Sequence, residues 1–245
     1  MRDLIKYEEN YISLPFEENQ IIYRRKKILE SIDVYRPKTI LEIGCGLDPL
    51  FNYYKSFNNF VVVEPSAIFF QSAISQASGC NKISVYQGLL EDKVELLKTY
   101  SFDFIVLSSL LHEINSCENI LKAVHSICRD DTVVHINVPN ARSFHRLLAY
   151  EMGIISSVFD KSETQIKMQQ SHTFDIETLI KLVQDFGFSV KDSGTFFIKP
   201  FTHSQMKSLL DTGILNKNIL DGLFNMSKYI PDYGSEIFMN VCIKK

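Results

Sequence analysis

Tryptophan is missing from this chain of 245 residues, a compositional bias that excludes no chemistry. Other shortages exclude more. No uncharged apolar run approaches the roughly 18 residues of a membrane span, and the opening MRDLIKYEEN lacks the apolar core of a signal peptide. Positive charge is also short: 26 Lys and Arg against 29 Asp and Glu leave a net charge of −3. That speaks against a nucleic-acid partner, because phosphate binding needs a basic face. The five cysteines, Cys45, Cys80, Cys117, Cys128 and Cys242, are scattered and show no CxxC spacing. No zinc site is expected from them, and a reduced, cytoplasmic interior fits best. No carboxylates cluster at ligand spacing, so metal-independent chemistry is expected.

What is present is an ordinary globular mix, 45% apolar and 22% charged, able to bury a full core. Residues 1–37 form a polar, helix-prone segment in which ENQIIYRRKKILESIDVY places an apolar residue every three or four positions and Pro37 ends the pattern. The YRRKK run reads as a solvated helix face, with a ligand carboxylate within reach of Arg24 or Arg25 as the alternative. From residue 38 short apolar runs alternate with amphipathic ones. Strands are expected at 39–43, 60–64, 83–87, 103–108 and 132–138, with helices near 48–57, 66–77, 89–98 and 117–128. Strands separated by helix-length segments imply βαβ units and a parallel sheet. Runs such as FVVVEP and FDFIVLSS suit strands buried on both faces. Further on, FDIETLIKLVQDFGF reads as a helix capped by Asp175, and EIFMNVCIKK as a closing strand. The expected fold is therefore α/β: a doubly wound, mostly parallel, seven-stranded sheet over 38–245 with helical insertions at about 140–172 and 201–230.

In such a sheet, ligands sit beyond the carboxyl ends of the strands, where strand order reverses. The loop after the first strand lies in TILEIGCGLDPLF. Gly44 and Gly46 let the backbone turn sharply and a ligand approach it closely. The third glycine of a dinucleotide fingerprint is missing, and Pro49 stands in its place. Asp48 opposes a phosphate there, although it reads equally well as a helix N-cap. Glu64 ends the second strand, where a carboxylate can accept both hydroxyls of a ribose.

LEIGCG followed by VVVEP resembles the first motif and its following acid in class I S-adenosylmethionine-dependent methyltransferases. The resemblance implies that Gly44, Cys45 and Gly46 line the methionine part of S-adenosylmethionine. It implies too that Glu42 orders the loop and that Glu64, with Pro65 beside it, takes the ribose. YQGLLEDK resembles the adenine-framing loop, so Gly88, Leu89 and Leu90 fall to the adenine. Leu89 stands where many members carry an acid, and Glu91 is a substitute for it. FDFIVLSSLLHEI resembles the fourth motif, with Ser108 and Ser109 at the cofactor and His112 near the acceptor. The Asn/Asp-Pro-Pro-Tyr signature of nucleobase amino methylation is absent.

A hydroxyl acceptor needs a base near neutral pH, and histidine suits it. His125 and His135 lie within core elements and read as structural; His203 is open. His112, His145 and His172 remain as candidate bases. Asn140, Ser143, His145 and Arg146 crowd the segment after the fifth strand, and the following LLAYEMGII reads as a lid helix. VPNARSFHRLLAYEMG, SHTFD and FFIKPFTHSQM together resemble a methyltransferase branch of bacterial surface-polysaccharide (capsule, O-antigen) biosynthesis. That likeness implies a carbohydrate or phosphorylated acceptor, bound by Asn140, Ser143, Arg146, Lys199 and Gln205. Methyl transfer to an amine, a non-catalytic cofactor-binding module and a dinucleotide oxidoreductase are the competing readings. A homodimer is left open.

Overall fold

A computed structural model describes residues 8–10 and 14–244. Seven strands form one sheet in the order β3-β2-β1-β4-β5-β7-β6. They are β1 (Thr39–Ile43), β2 (Asn59–Glu64), β3 (Ile83–Gln87), β4 (Phe104–Ser108), β5 (Val133–Pro139), β6 (Phe188–Phe196) and β7 (Glu236–Ile243). All neighbours pair in parallel except β7, which runs antiparallel to both β5 and β6. The reversal of strand order falls between β1 and β4, beside the glycine loop, as the doubly wound plan requires.

Burial explains the strand assignments. Ile40, Leu41, Val61 to Val63 and Phe104 to Leu107 are all at most 1% exposed, so these runs are apolar on both faces. One face packs on α4 (Cys117–Ile127) and α7 (Ile176–Asp185), through Leu121, Val124, Leu179 and Val183. The other packs on α1 (Glu17–Tyr35) and α2 (Ala67–Ala77), through Ile28, Ile32 and Ala73. Asp175 caps α7 by accepting the Thr178 N–H at 2.9 Å, and Gly187 ends it at φ +84°. Between β5 and α7 lie α5 (Phe144–Glu151) and α6 (Glu163–Lys167); between β6 and β7 lie α8 (His203–Asp211) and α9 (Lys217–Asn225). Among the described residues, no helix is long and apolar enough to cross a membrane.

Three local expectations are corrected. The helix expected at 48–57 is only a 3-10 turn at Leu50–Asn52. Phe51 and Phe57 both bury their rings against Phe60, at centroid distances of 5.7 and 5.2 Å. A six-residue spacing does not share a helix face, so aromatic packing overrides the helical period. The helix expected at 89–98 is a 3-10 turn, Glu91–Lys93, followed by the single turn α3, Val94–Leu97. The YRRKK run is not a solvated face either. Arg24 is buried, Lys26 lies 4.2 Å from the Phe224 ring centre, and Lys27 lies 3.8 Å from that of Phe238. The helix carries cations inward because α9 and β7 cover it with the rings of Phe224 and Phe238.

Candidate active site

The carboxyl ends of β1, β2, β4 and β5 open into one cavity of about 1270 Å³, walled on its far side by α1 and the start of β7. Gly44 and Gly46 adopt φ +75° and +59°, left-handed values that a side chain resists. Gly44 N–H donates to Val63 O at 2.9 Å, which folds the loop back over β2. Glu42, beneath the loop, accepts the Leu50 N–H at 3.0 Å and so clips the far end of the turn. Burial pushes its carboxyl up to about 8, partly offset by that hydrogen bond.

Glu64 is 3% exposed and lines the cavity. It accepts Gly46 N–H at 3.3 Å on one oxygen and Ser66 N–H at 2.9 Å on the other. Burial raises its pKa, against these backbone donors. A carboxylate has about four acceptor sites, so capacity remains for a ligand's hydroxyls. Cys45 is buried with its thiol 3.7 Å from Glu64, and burial drives its pKa upward. Gly88 turns at φ +135° and donates to Glu64 O at 3.1 Å. Beyond it Leu90 is buried while Leu89 is 51% exposed and faces the cavity, leaving an apolar surface for a planar ring. Pro65 completes this rim. Asp48 receives Arg25 as an ion pair and the Tyr53 hydroxyl at 2.6 Å, so it ties the loop to α1 and caps no α-helix.

The β4 end is fixed from behind. Asn137 Oδ1 accepts Ser109 N–H at 3.0 Å and Ser108 Oγ–H at 3.2 Å, which holds Ser109 at φ +52°. Asn137 is in turn 3.5 Å from His135 Nε2, and His135 Nδ1 is 2.8 Å from Asn240 Oδ1. His135 is fully buried with its pKa lowered to about 4, and it does not line the cavity. His125 is likewise remote from the cavity and sits edge-on to Phe188.

His112, His145 and His172 all line the cavity. The His112 carbonyl accepts the N–H groups of Ser171 and His172 at 2.9 and 3.1 Å, so the β4 loop and the end of the first insertion are stitched together. His112 Nε2 is 3.8 Å from Glu113. His172 stacks on Phe174 at 5.8 Å, and its Nε2 has no hydrogen-bond partner among the described residues. Ser143 Oγ contacts His145 Nδ1 at 3.2 Å. Burial, with the nearby positive charge of Lys199, holds the His145 pKa well below its usual value. His203 joins the same wall, with its pKa lowered to about 2 by burial and by Lys199.

The expected acceptor-binding residues divide. Lys199 is 4% exposed, lines the cavity and has its pKa lowered to about 8 by burial. Asn140 also lines the cavity, yet its side chain is committed: it donates to Asp232 O and Gly234 O and accepts Arg142 N–H, pinning the end of β5. Ser143 is fully buried beneath the wall. Arg146 is spent on the first insertion, donating to Val158 O at 3.0 Å, Gln165 Oε1 at 3.1 Å and Asp160 O. Gln205 closes the N-terminal cap of α8 with Thr202 and stands outside this cavity, because that cap turns its amide back along its own helix. Sequence reasoning missed Glu17, Gln20 and Glu236, which line the same cavity beside Arg24. An acid opening the last strand was the one visible signal.

Comparison with known proteins follows the same lines. The sequence profile of a family described as a methyltransferase domain matches residues 21–193. The curated nonribosomal peptide synthetase dtxS1 of Metarhizium robertsii is 24% identical over 187 residues. That match takes in 73% of this chain but only 2% of the synthetase. A Thermotoga maritima S-adenosylmethionine-dependent methyltransferase, described as a possible histamine N-methyltransferase, superimposes with a TM-score of 0.58 at 18% identity over 94% of each chain. The plantazolicin methyltransferase BamL, solved with S-adenosylhomocysteine and a triazolic desmethylPZN analog, gives 0.56 at 16% identity over 98% of this chain and 97% of its own. At such identities these structures speak for the fold. The profile match covers most of the chain, and with the glycine loop and the buried acid at the end of β2 it places the protein in the methyltransferase-domain family, as an S-adenosylmethionine-dependent enzyme.

Proposed function

We propose that the enzyme transfers a methyl group to a hydroxyl of a small polar acceptor, with a cavity histidine removing the proton. The acceptor class proposed is a sugar or a sugar precursor of a surface polysaccharide such as capsule. The observation that carries the base is the placement of His112, His145 and His172 in the same cavity as the glycine loop. Bound S-adenosylmethionine supplies a methyl group on a cationic sulfur, a good leaving group. The protein's share is to orient the partners and take one proton. In this reading Gly44, Cys45 and Gly46 receive the methionine part, Glu64 the ribose hydroxyls and Leu89 one face of the adenine. Since Arg146 is engaged within the insertion, a phosphorylated acceptor would depend on Lys199 for its counter-charge.

If Glu64 receives the ribose, Glu64→Ala removes hydrogen bonds to a charged group, each worth about 1.5–3 kcal/mol. Calorimetry should show S-adenosylhomocysteine binding weakened by about 10²- to 10⁴-fold for two such bonds; binding within twofold of wild type would remove Glu64 from the ribose site. For the acceptor, the protein is incubated with labelled S-adenosylmethionine and matched hydroxyl and amine acceptors, including free sugars and nucleotide sugars. Label is expected on oxygen. Turnover of amines alone would replace the O-methyl reading with N-methylation, and cofactor binding without any turnover would leave a binding module.

A further inference from the structure

The wall of the cavity farthest from the glycine loop carries polar groups that methyl transfer itself does not use. Glu236 opens β7 at 2% exposure. Its Oε1 accepts Gln20 Nε2 at 2.9 Å and Arg24 Nη2 at 2.8 Å, whereas its Oε2 accepts nothing among the described residues. Gln20 is 4% exposed and also donates to Ser235 Oγ at 3.2 Å. Two acceptors on Nε2 fix the amide orientation, and Gln20 Oε1 is then left without a donor. Lys199, 4% exposed, feels the charge of Glu236 and Glu17, yet no hydrogen bond or ion pair engages its ammonium among the described residues. Gln20, Lys199 and Glu236 all line the cavity. Two buried oxygens lacking donors and the cavity-facing ammonium of Lys199 therefore share one wall, and buried polar groups are costly unless matched.

The geometry points to a zwitterion: the non-reacting end of the acceptor is an aminocarboxylate, its carboxylate on Lys199 Nζ and its ammonium on Glu236 Oε2 and Gln20 Oε1. An ammonium brings three donors, enough for both orphan oxygens. Charge balance favours the same class. Among the described residues of this wall, Glu17 and Glu236 balance Arg24 and Lys199, and a zwitterion keeps that balance. A phosphate dianion would add two negative charges beside two buried carboxylates, and a simple amine would add an uncompensated positive charge.

The methionine part of the cofactor, itself an aminocarboxylate, belongs elsewhere. In the order β1-β4-β5-β7, Glu236 lies three strand spacings from the glycine loop, about 14 Å at ~4.8 Å per strand. From the end of β4, where the reacting hydroxyl belongs, the distance is two spacings, roughly 10 Å, which sets the length of the acceptor. This assignment rests on the cavity being the site of methyl transfer to a hydroxyl, and within that reading it puts a hydroxyl compound ending in an aminocarboxylate in place of a simple or phosphorylated sugar.

The test titrates the protein, saturated with S-adenosylhomocysteine, with glycine, β-alanine, acetate, ethylamine and inorganic phosphate, following ligand signals by NMR. The zwitterions are expected to bind at least ~10-fold tighter than acetate, ethylamine or phosphate. Lys199→Met and Glu236→Gln should each reduce that binding by ~10-fold, with S-adenosylhomocysteine affinity unchanged in Lys199→Met. Gln at 236 keeps the acceptor for Gln20 and Arg24; Lys199→Met alone is sufficient should Glu236→Gln not fold. Phosphate as the tightest probe, or equal zwitterion binding by wild type and Lys199→Met, would overturn the assignment. Failure of the methyl-transfer reading shows separately, as absent binding of S-adenosylhomocysteine.

Discussion

Replacing His145 by asparagine is expected to lower kcat by about 10²- to 10⁴-fold, the usual contribution of a general base, with little change in cofactor affinity. One feature singles it out among the cavity histidines, and two more keep it neutral. Ser143 engages its Nδ1, which orients the ring. Lys199 and Arg146 stand near it and oppose its protonation. Burial acts in the same direction, so the ring stays neutral under mildly acidic conditions, as a base must. The sign of the pH effect follows. A pKa held well below 6.5 keeps the base unprotonated as pH falls through the ordinary histidine range, so the acid limb of kcat should lie well below pH 6.5. A limb near pH 6.5, together with an active His145→Asn enzyme, would move the role to His112 or His172.

Arg24→Met should be the most damaging single change to stability. Arg24 bridges Glu17 at 2.9 Å and Glu236 at 2.8 Å, with only about 10% of its side chain exposed. Methionine keeps much of the volume but leaves two carboxylates buried without their common cation. Removing one partner of a buried pair costs about 3–5 kcal/mol, and in a domain of this size each kcal/mol moves Tm by about 2–4 °C. A fall of roughly 6–20 °C in thermal unfolding is expected. Adding Glu236→Gln to Arg24→Met should recover part of it, since one uncompensated charge is then gone. A Tm within ~2 °C of wild type for Arg24→Met would show that the carboxylates find other compensation.

The core of the sheet was legible because its physics is local. FVVVEP and FDFIVLSS are apolar without interruption, and only strands buried on both faces have that pattern. The glycine loop was legible for the same reason, since φ +75° at Gly44 is a property of one residue. The helix expected after that loop failed because Phe51 and Phe57 answer to Phe60, a partner outside the window that defines a period. Arg146 read as a ligand for phosphate because its neighbours in sequence are polar; its actual partners lie 12 to 19 residues away, in a loop and in the short helix α6. Glu17, Gln20 and Glu236 were invisible as a group, since their meeting depends on α1 lying across the start of β7, some 215 residues distant. Pairings of that range leave no trace in a single sequence.

Arg24 and Arg25 are consecutive in α1, yet they leave the helix toward different compartments. Arg24 reaches the buried acids Glu17 and Glu236, and Arg25 pairs with Asp48 beside the glycine loop. One rigid rod is thus fastened at adjacent rungs to both halves of the cavity. If cofactor and acceptor occupy those two halves as proposed, a tilt of the rod that accommodates one would be felt by the other, and linkage would make the influence mutual: whatever factor the cofactor imposed on the acceptor's affinity, the acceptor would return.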